Sequence, residues 1–146
     1  IARMAEADWD FTVNLCLKGV MFAMKHAAQA MLKQGHGAMV NIASLNAHVP
    51  MHAGAAYSTA KAGVEMLTKN GALELTPSGI RVNAIRPGLI DTEMVSEEVL
   101  EHALELIPMR RMGTVDEVAG VVAFLMGAEA SYVTRQVISV NGGMVG

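Results

Sequence analysis

Tyr57 and Lys61 stand four residues apart in Tyr57-Ser58-Thr59-Ala60-Lys61, inside a stretch whose apolar pattern reads as a helix. Residues at i and i+4 share one helical face. A free phenol has a pKa of about 10, and a neighbouring ammonium favours its phenolate. A tyrosine placed this way can serve as a general acid or base. Ser44 comes thirteen residues earlier, at the end of a short apolar stretch that reads as a strand. A strand end and a helix start can meet, so a serine hydroxyl and a phenol could hold one substrate oxygen between them. Asn14, on the preceding long helix, could supply a polar link behind Lys61. Each feature alone has an ordinary reading: a solvated Tyr–Lys pair, a serine in a turn. The ordered set is harder to explain that way: strand, serine, loop, Tyr-x-x-x-Lys helix, strand, then Pro87-Gly88.

The elements needed to position these residues can be read from periodicity. Leu17, Val20, Met21, Met24, Ala27, Ala28, Met31 and Leu32 recur at helical spacing, which predicts a helix over 9–34. Gly35-His36-Gly37 should end it. Ala38–Ala43 reads as a buried strand, Ser44–Ala55 as a loop, and Ala56–Leu75 as a second long helix closed by Thr76-Pro77-Ser78-Gly79. Ile80–Arg86 reads as a strand broken by Pro87-Gly88. Residues 96–106 read as a short helix. Thr114 to Glu117 has a capping-box pattern before a helix to about Met126. Gln136–Val140 is the third strand. Strands alternating with helices predict an α/β fold with a parallel sheet. Helices on both faces of that sheet would explain the apolar content.

The 146 residues are one domain's length. They are 52% hydrophobic and only 17% charged, which excludes a disordered chain. A net charge of -3 and a pI of 5.9 argue against a nucleic-acid-binding face. The single cysteine, Cys16, excludes an internal disulfide framework and a cysteine-based zinc site. The longest apolar run, around Val121–Met126, is too short to span a bilayer. With no signal-like segment in the first twenty residues, a cytoplasmic protein is expected.

These motifs together resemble the classical short-chain dehydrogenase/reductase family. The matching stretches are Asn14 in FTVNLCLKGVMF, VNIAS at 40–44, YSTAKAG at 57–63, IRVNAIRPGLIDT at 80–92, Arg111–Gly113 with Glu117-Val118-Ala119, and VNGG at 140–143. The resemblance implies a Rossmann-type doubly wound parallel sheet and an oxidoreductase that uses NAD or NADP on a secondary alcohol or ketone. It implies that Tyr57 is the acid/base, that Ser44 hydrogen-bonds the substrate oxygen, and that Asn14 holds a water linking Lys61 to solvent. Lys61 would favour the Tyr57 phenolate and bind the nicotinamide ribose. Pro87, Gly88, Ile90 and Thr92 would line the nicotinamide end, and residues 93–112 would form a flap over substrate. The three residues between Tyr57 and Lys61 look like the ketone/alcohol branch, because enoyl reductases of the family space the pair more widely. The family's opening strand and glycine-rich turn, where a helix N-terminus holds the pyrophosphate, have no counterpart in the sequence. Neither does its Asn-Asn-Ala-Gly-like segment. Residues 1–146 are therefore expected to form the C-terminal portion of such a domain, with an incomplete cofactor site. Asn141 stands where the family often has Asp.

Other features have plainer readings. Most of the twelve methionines sit at core or interface spacing, while Met94, Met109 and Met112 fall in the expected flap. His48 and His52 lie in the Ser44–Tyr57 loop without an accompanying carboxylate or cysteine, so no metal site is expected. The helices 9–34 and 56–75 are apolar over wide faces. The family pairs these helices across a two-fold axis, which implies a homodimer or homotetramer. The competing expectation is a non-catalytic piece or assembly module that lacks the pyrophosphate site.

Overall fold

The computed structural model describes residues 1–92 and 104–145. Helix α1 (Glu6–Val13) runs through a π turn at Asn14–Lys18 into α2 (Gly19–Gln34). The helix expected over 9–34 therefore begins three residues early, with Glu6 and Asp8 in its first turn, where carboxylates favour the helix dipole. It also carries one wider turn. There the Gly19 amide donates to the Asn14 carbonyl, five residues back. Apolar periodicity has no signature for so short a shift in the bonding pattern. Gly35, at φ 80°, ends α2 and donates to the Met31 carbonyl.

Among the described residues, three strands follow in the order β1 (Gly37–Ile42), β2 (Ile80–Pro87) and β3 (Val137–Val140), hydrogen-bonded side by side and all parallel. Helix α3 (Ala55–Leu75) connects β1 to β2, and α4 (Val115–Met126) precedes β3. The α/β arrangement with a parallel sheet expected from alternation is present, and it is Rossmann-like, as the resemblance implied. Strand bounds move by one residue. Ala43 leaves β1, although its amide still donates to the Ile85 carbonyl at 2.9 Å. Pro87 stays in β2 opposite Val140 instead of breaking it. A proline lacks only the N–H, and the next amide, Gly88, takes the bond to the Val140 carbonyl at 2.9 Å. The helix expected over 96–106 lies largely outside the described residues, of which Leu104–Leu106 are helical.

The sheet is covered on both faces, as in parallel sheets generally. Met39, Ile80 and Val82 pack with Met24 of α2 and Ala72 of α3 on one side. Ile85 packs with Leu125 and Ala130 on the other. Asn41, Thr68 and Asn83, polar residues inside this core, are paired. Asn41 donates to Thr68 Oγ1 at 2.8 Å, and Thr68 donates onward to the Val64 carbonyl. Asn83 donates to the Val133 carbonyl and accepts from the Gln136 amide. Among the described residues, no helix is long and apolar enough to cross a membrane.

The capping box at α4 forms as expected. Thr114 Oγ1 accepts from the Glu117 amide, and the Glu117 carboxylate accepts from the Thr114 amide. Arg111 forks onto the same carboxylate at 2.8 and 2.6 Å. These contacts, the Arg111 hydrogen bonds first, pull the Glu117 pKa from 4.5 down to about 2. A depressed carboxyl pKa stabilises the fold above the unfolded value, and that contribution disappears as pH falls through the folded value. The unfolding midpoint should therefore drop between about pH 4.5 and pH 2. Glu117→Gln should remove part of that slope when the two proteins are melted in parallel. Superimposable pH curves would contradict this.

Candidate active site

The three parallel strands bring their C-terminal ends to one edge of the sheet, where open α/β sheets hold ligands. Ala43 and Ser44 leave β1 there. Pro87 and Gly88 end β2, and Val140 and Asn141 end β3. Ser44 is buried, and its Oγ accepts from the Asn46 amide at 3.2 Å, which starts a short 3-10 turn at Leu45–Ala47. The hydroxyl hydrogen is not used in that bond and can be donated to a ligand.

Helix α3 starts at Ala55, after Gly54, and places Tyr57 in its first turn. Tyr57 and Lys61 are both half-buried. The Lys61 ammonium lies 5.6 Å from the centroid of the Tyr57 ring, within cation–π range. It also donates to the Ile42 carbonyl at 2.9 Å. One cation thus ties the tyrosine helix to the end of β1, two residues from Ser44. Burial pushes the Lys61 pKa below its ordinary value, and the nearby Cys16 opposes the shift. Cys16 belongs to the same π turn as Asn14, so that turn lies beside Lys61. Asn14 itself is exposed, and its carbonyl is the acceptor that defines the π turn. A cleft of about 420 Å³ opens on Tyr57, walled by Met4, Thr12, Met51 and Gly54.

The β2 end is shaped by close approach. A Cβ on Gly88 would stand 2.7 Å from Asn141 Cβ and 2.8 Å from Asn141 Cα. Only glycine lets these two strand ends meet. Gly88→Ala should cost about 1–3 kcal/mol in urea unfolding and should part the β2 and β3 ends; an unchanged midpoint would contradict this. Ile90 forms a single parallel bridge to Gly113, supported by bonds from Gly113 N to the Leu89 carbonyl and from Asp91 N to the Gly113 carbonyl. Thr92 lies on the exposed bend that follows. Ile90, Ser139 and Asn141 face a second, smaller cleft of about 270 Å³. Asn141 accepts from the Gly143 amide and donates to the Val145 carbonyl. An Asp here could make only the first of these bonds. Of the expected flap, residues 93–103, including Met94, lie outside the described residues.

A family model described as Enoyl-(Acyl carrier protein) reductase matches residues 1–145. The chain is 43% identical to the 3-oxoacyl-(acyl-carrier-protein) reductase FabG of Thermotoga maritima and 42% identical to that of Staphylococcus aureus, over 99% of its own length in each case. A short-chain type dehydrogenase/reductase from Mycobacterium ulcerans superposes with a TM-score of 0.95 at 39% identity, over 99% of this chain and 54% of that one. The chain belongs to the short-chain dehydrogenase/reductase family. It spans 60% of the length of the two curated relatives.

The sequence reading of this short-chain dehydrogenase/reductase chain missed one group near the site. Glu65, four residues beyond Lys61 on α3, is buried and forms a two-point ion pair with Arg86 at the end of β2. Arg86 Nε and Nη2 donate to the two Glu65 carboxylate oxygens at 2.8 and 3.0 Å, and Nη1 donates to Ser139 Oγ of β3 at 3.3 Å. A signal did exist: each charge interrupts an otherwise apolar stretch, GVEML and AIRP.

Proposed function

We propose that the protein is an NAD(P)-dependent reductase of ketones, operating reversibly on the corresponding secondary alcohols, with Tyr57 as the general acid/base. The observation that carries this is the Lys61 ammonium, which holds Tyr57 and the β1 end beside Ser44 in one unit. The strand-end edge fits the nicotinamide–ribose half of the cofactor. An ammonium has three donors, and Lys61 directs one to Ile42, leaving others for ribose hydroxyls. Pro87, Gly88, Ile90 and Thr92 would line the nicotinamide, and Gly88 lets the β2 end close onto Asn141 beside them. When bound, NADH or NADPH supplies the hydride. Ser44 then holds the substrate oxygen by donating its hydroxyl, and Tyr57 delivers a proton to that oxygen. Lys61 keeps Tyr57 oriented, and Asn14 would hold a water on the solvent side of Lys61. In this reading residues 1–146 act as the C-terminal portion of one cofactor-binding domain, in a cytoplasmic protein.

A carbonyl substrate is favoured over an enoyl one, despite the description of the matching family model. Three residues separate Tyr57 and Lys61, and the curated relatives are named as 3-oxoacyl reductases. The cleft beside Tyr57 has room for the reacting end of a 3-oxoacyl thioester. The test supplies the intact protein with NADPH or NADH and either a 3-oxoacyl or an enoyl thioester, and follows loss of the reduced nicotinamide. Turnover of the 3-oxoacyl compound is expected. Turnover of the enoyl compound alone would overturn the assignment.

The assembly belongs to the same proposal. Phe11, Leu15, Met21, Phe22, Met66 and Leu73 are exposed along the helices spanning 9–34 and 56–75. These faces suit a homodimer or homotetramer, which light scattering at micromolar concentration would reveal.

A further inference from the structure

Four facts converge on the Glu65–Arg86 pair. Tyr57, Lys61 and Glu65 recur every four residues and so share one face of α3. Arg86 immediately precedes Pro87-Gly88. All three Arg86 side-chain nitrogens are engaged, two on Glu65 and one on Ser139. His48 Nδ1, on the loop that follows Ser44, lies 3.9 Å from Glu65 Oε2. The carboxylate, carried on α3, therefore bonds to β2, lies near the Ser44 loop, and reaches β3 through the guanidinium.

We propose that Glu65 and Arg86 are positioning residues, a buried clamp that sets the Tyr57–Lys61 face of α3 against the β2 and β3 ends that would carry the nicotinamide. The proposal rests on the reductase reading for its catalytic consequence. Its structural half stands on the contacts alone. A two-point guanidinium–carboxylate bond fixes orientation as well as distance, which apolar packing does not. A buried ion pair is a poor source of net stability, since well-packed apolar residues of similar volume serve as well or better. What the pair supplies here is geometry. It joins the helix that would deliver the proton to the strand end that would hold the hydride donor. Alignment of these two determines turnover, and a misplacement of about 1 Å can cost about a hundredfold.

The test is the double variant Glu65→Leu with Arg86→Met, which removes the clamp without leaving a buried charge. Arg86→Lys, which keeps the charge but loses the fork, is the second variant. Two readouts are taken on each intact, folded protein. In the first, amide hydrogen exchange at Gly88, whose N–H bonds Val140, should speed up about tenfold or more in the double variant, because that end opens locally without global unfolding. In the second, kcat for ketone reduction should fall about ten- to a hundredfold while the cofactor dissociation constant moves far less. A purely structural pair would shift the melting temperature and leave both readouts in the folded protein untouched. Wild-type exchange at Gly88 in either variant, or wild-type kcat in both, would overturn the clamp. If the wild-type protein reduced no ketone, the reductase reading would fall and the exchange readout would still decide the clamp.

Discussion

Tyr57→Phe should lower kcat by about two to four orders of magnitude, the usual contribution of a positioned acid or base. The substitution removes one oxygen. The ring stays in the first turn of α3 and still offers its face to the Lys61 ammonium. Lys61 keeps its bond to the Ile42 carbonyl, so the β1 end and Ser44 stay in place. Cofactor binding and the melting temperature should therefore change little, and the loss should appear in kcat. Steady-state kinetics with a nicotinamide fluorescence titration on the same sample separates the two. A loss of less than tenfold would remove Tyr57 from the proton path.

Glu65→Leu should cost about 3–5 kcal/mol of stability, because it strands a guanidinium in a buried site. Both side chains are 7% exposed, and arginine does not escape by deprotonation. Ser139 Oγ would remain as a single acceptor at 3.3 Å, too little to replace a bidentate carboxylate. Chemical denaturation should show the loss as a lower midpoint with an unchanged slope. Adding Arg86→Met should recover most of it. A single variant within about 1 kcal/mol of wild type, the range usual for exposed ion pairs, would contradict the burial of the pair.

Local chemistry was legible wherever one short stretch carried it. The Tyr57–Lys61 spacing, Ser44 at a strand end, Gly35 after a helix and the Thr114–Glu117 capping box each state their geometry within a few residues, and each was found where expected. The parallel sheet followed from the alternation of elements. What could not be read depends on register between distant segments. The Lys61 bond to the Ile42 carbonyl, the meeting of Gly88 with Asn141 and the Glu65–Arg86 pair join residues 19, 53 and 21 positions apart. Those contacts arise only once β1, β2 and β3 are aligned and α3 is laid across them. The π turn at Asn14–Lys18 was hidden for another reason: so short a segment of i+5 bonding leaves a helical apolar pattern on either side.

The most direct test of the proposed chemistry follows a labelled hydrogen. The intact protein is given NADPH carrying two deuteriums at the reactive carbon of its nicotinamide, together with a 3-oxoacyl thioester in ordinary water. The hydroxyacyl product should gain one deuterium at its carbinol carbon, and the rate should collapse in Tyr57→Phe. Product without deuterium, or labelled turnover that persists undiminished in Tyr57→Phe, would contradict a hydride transfer completed by the Tyr57 proton.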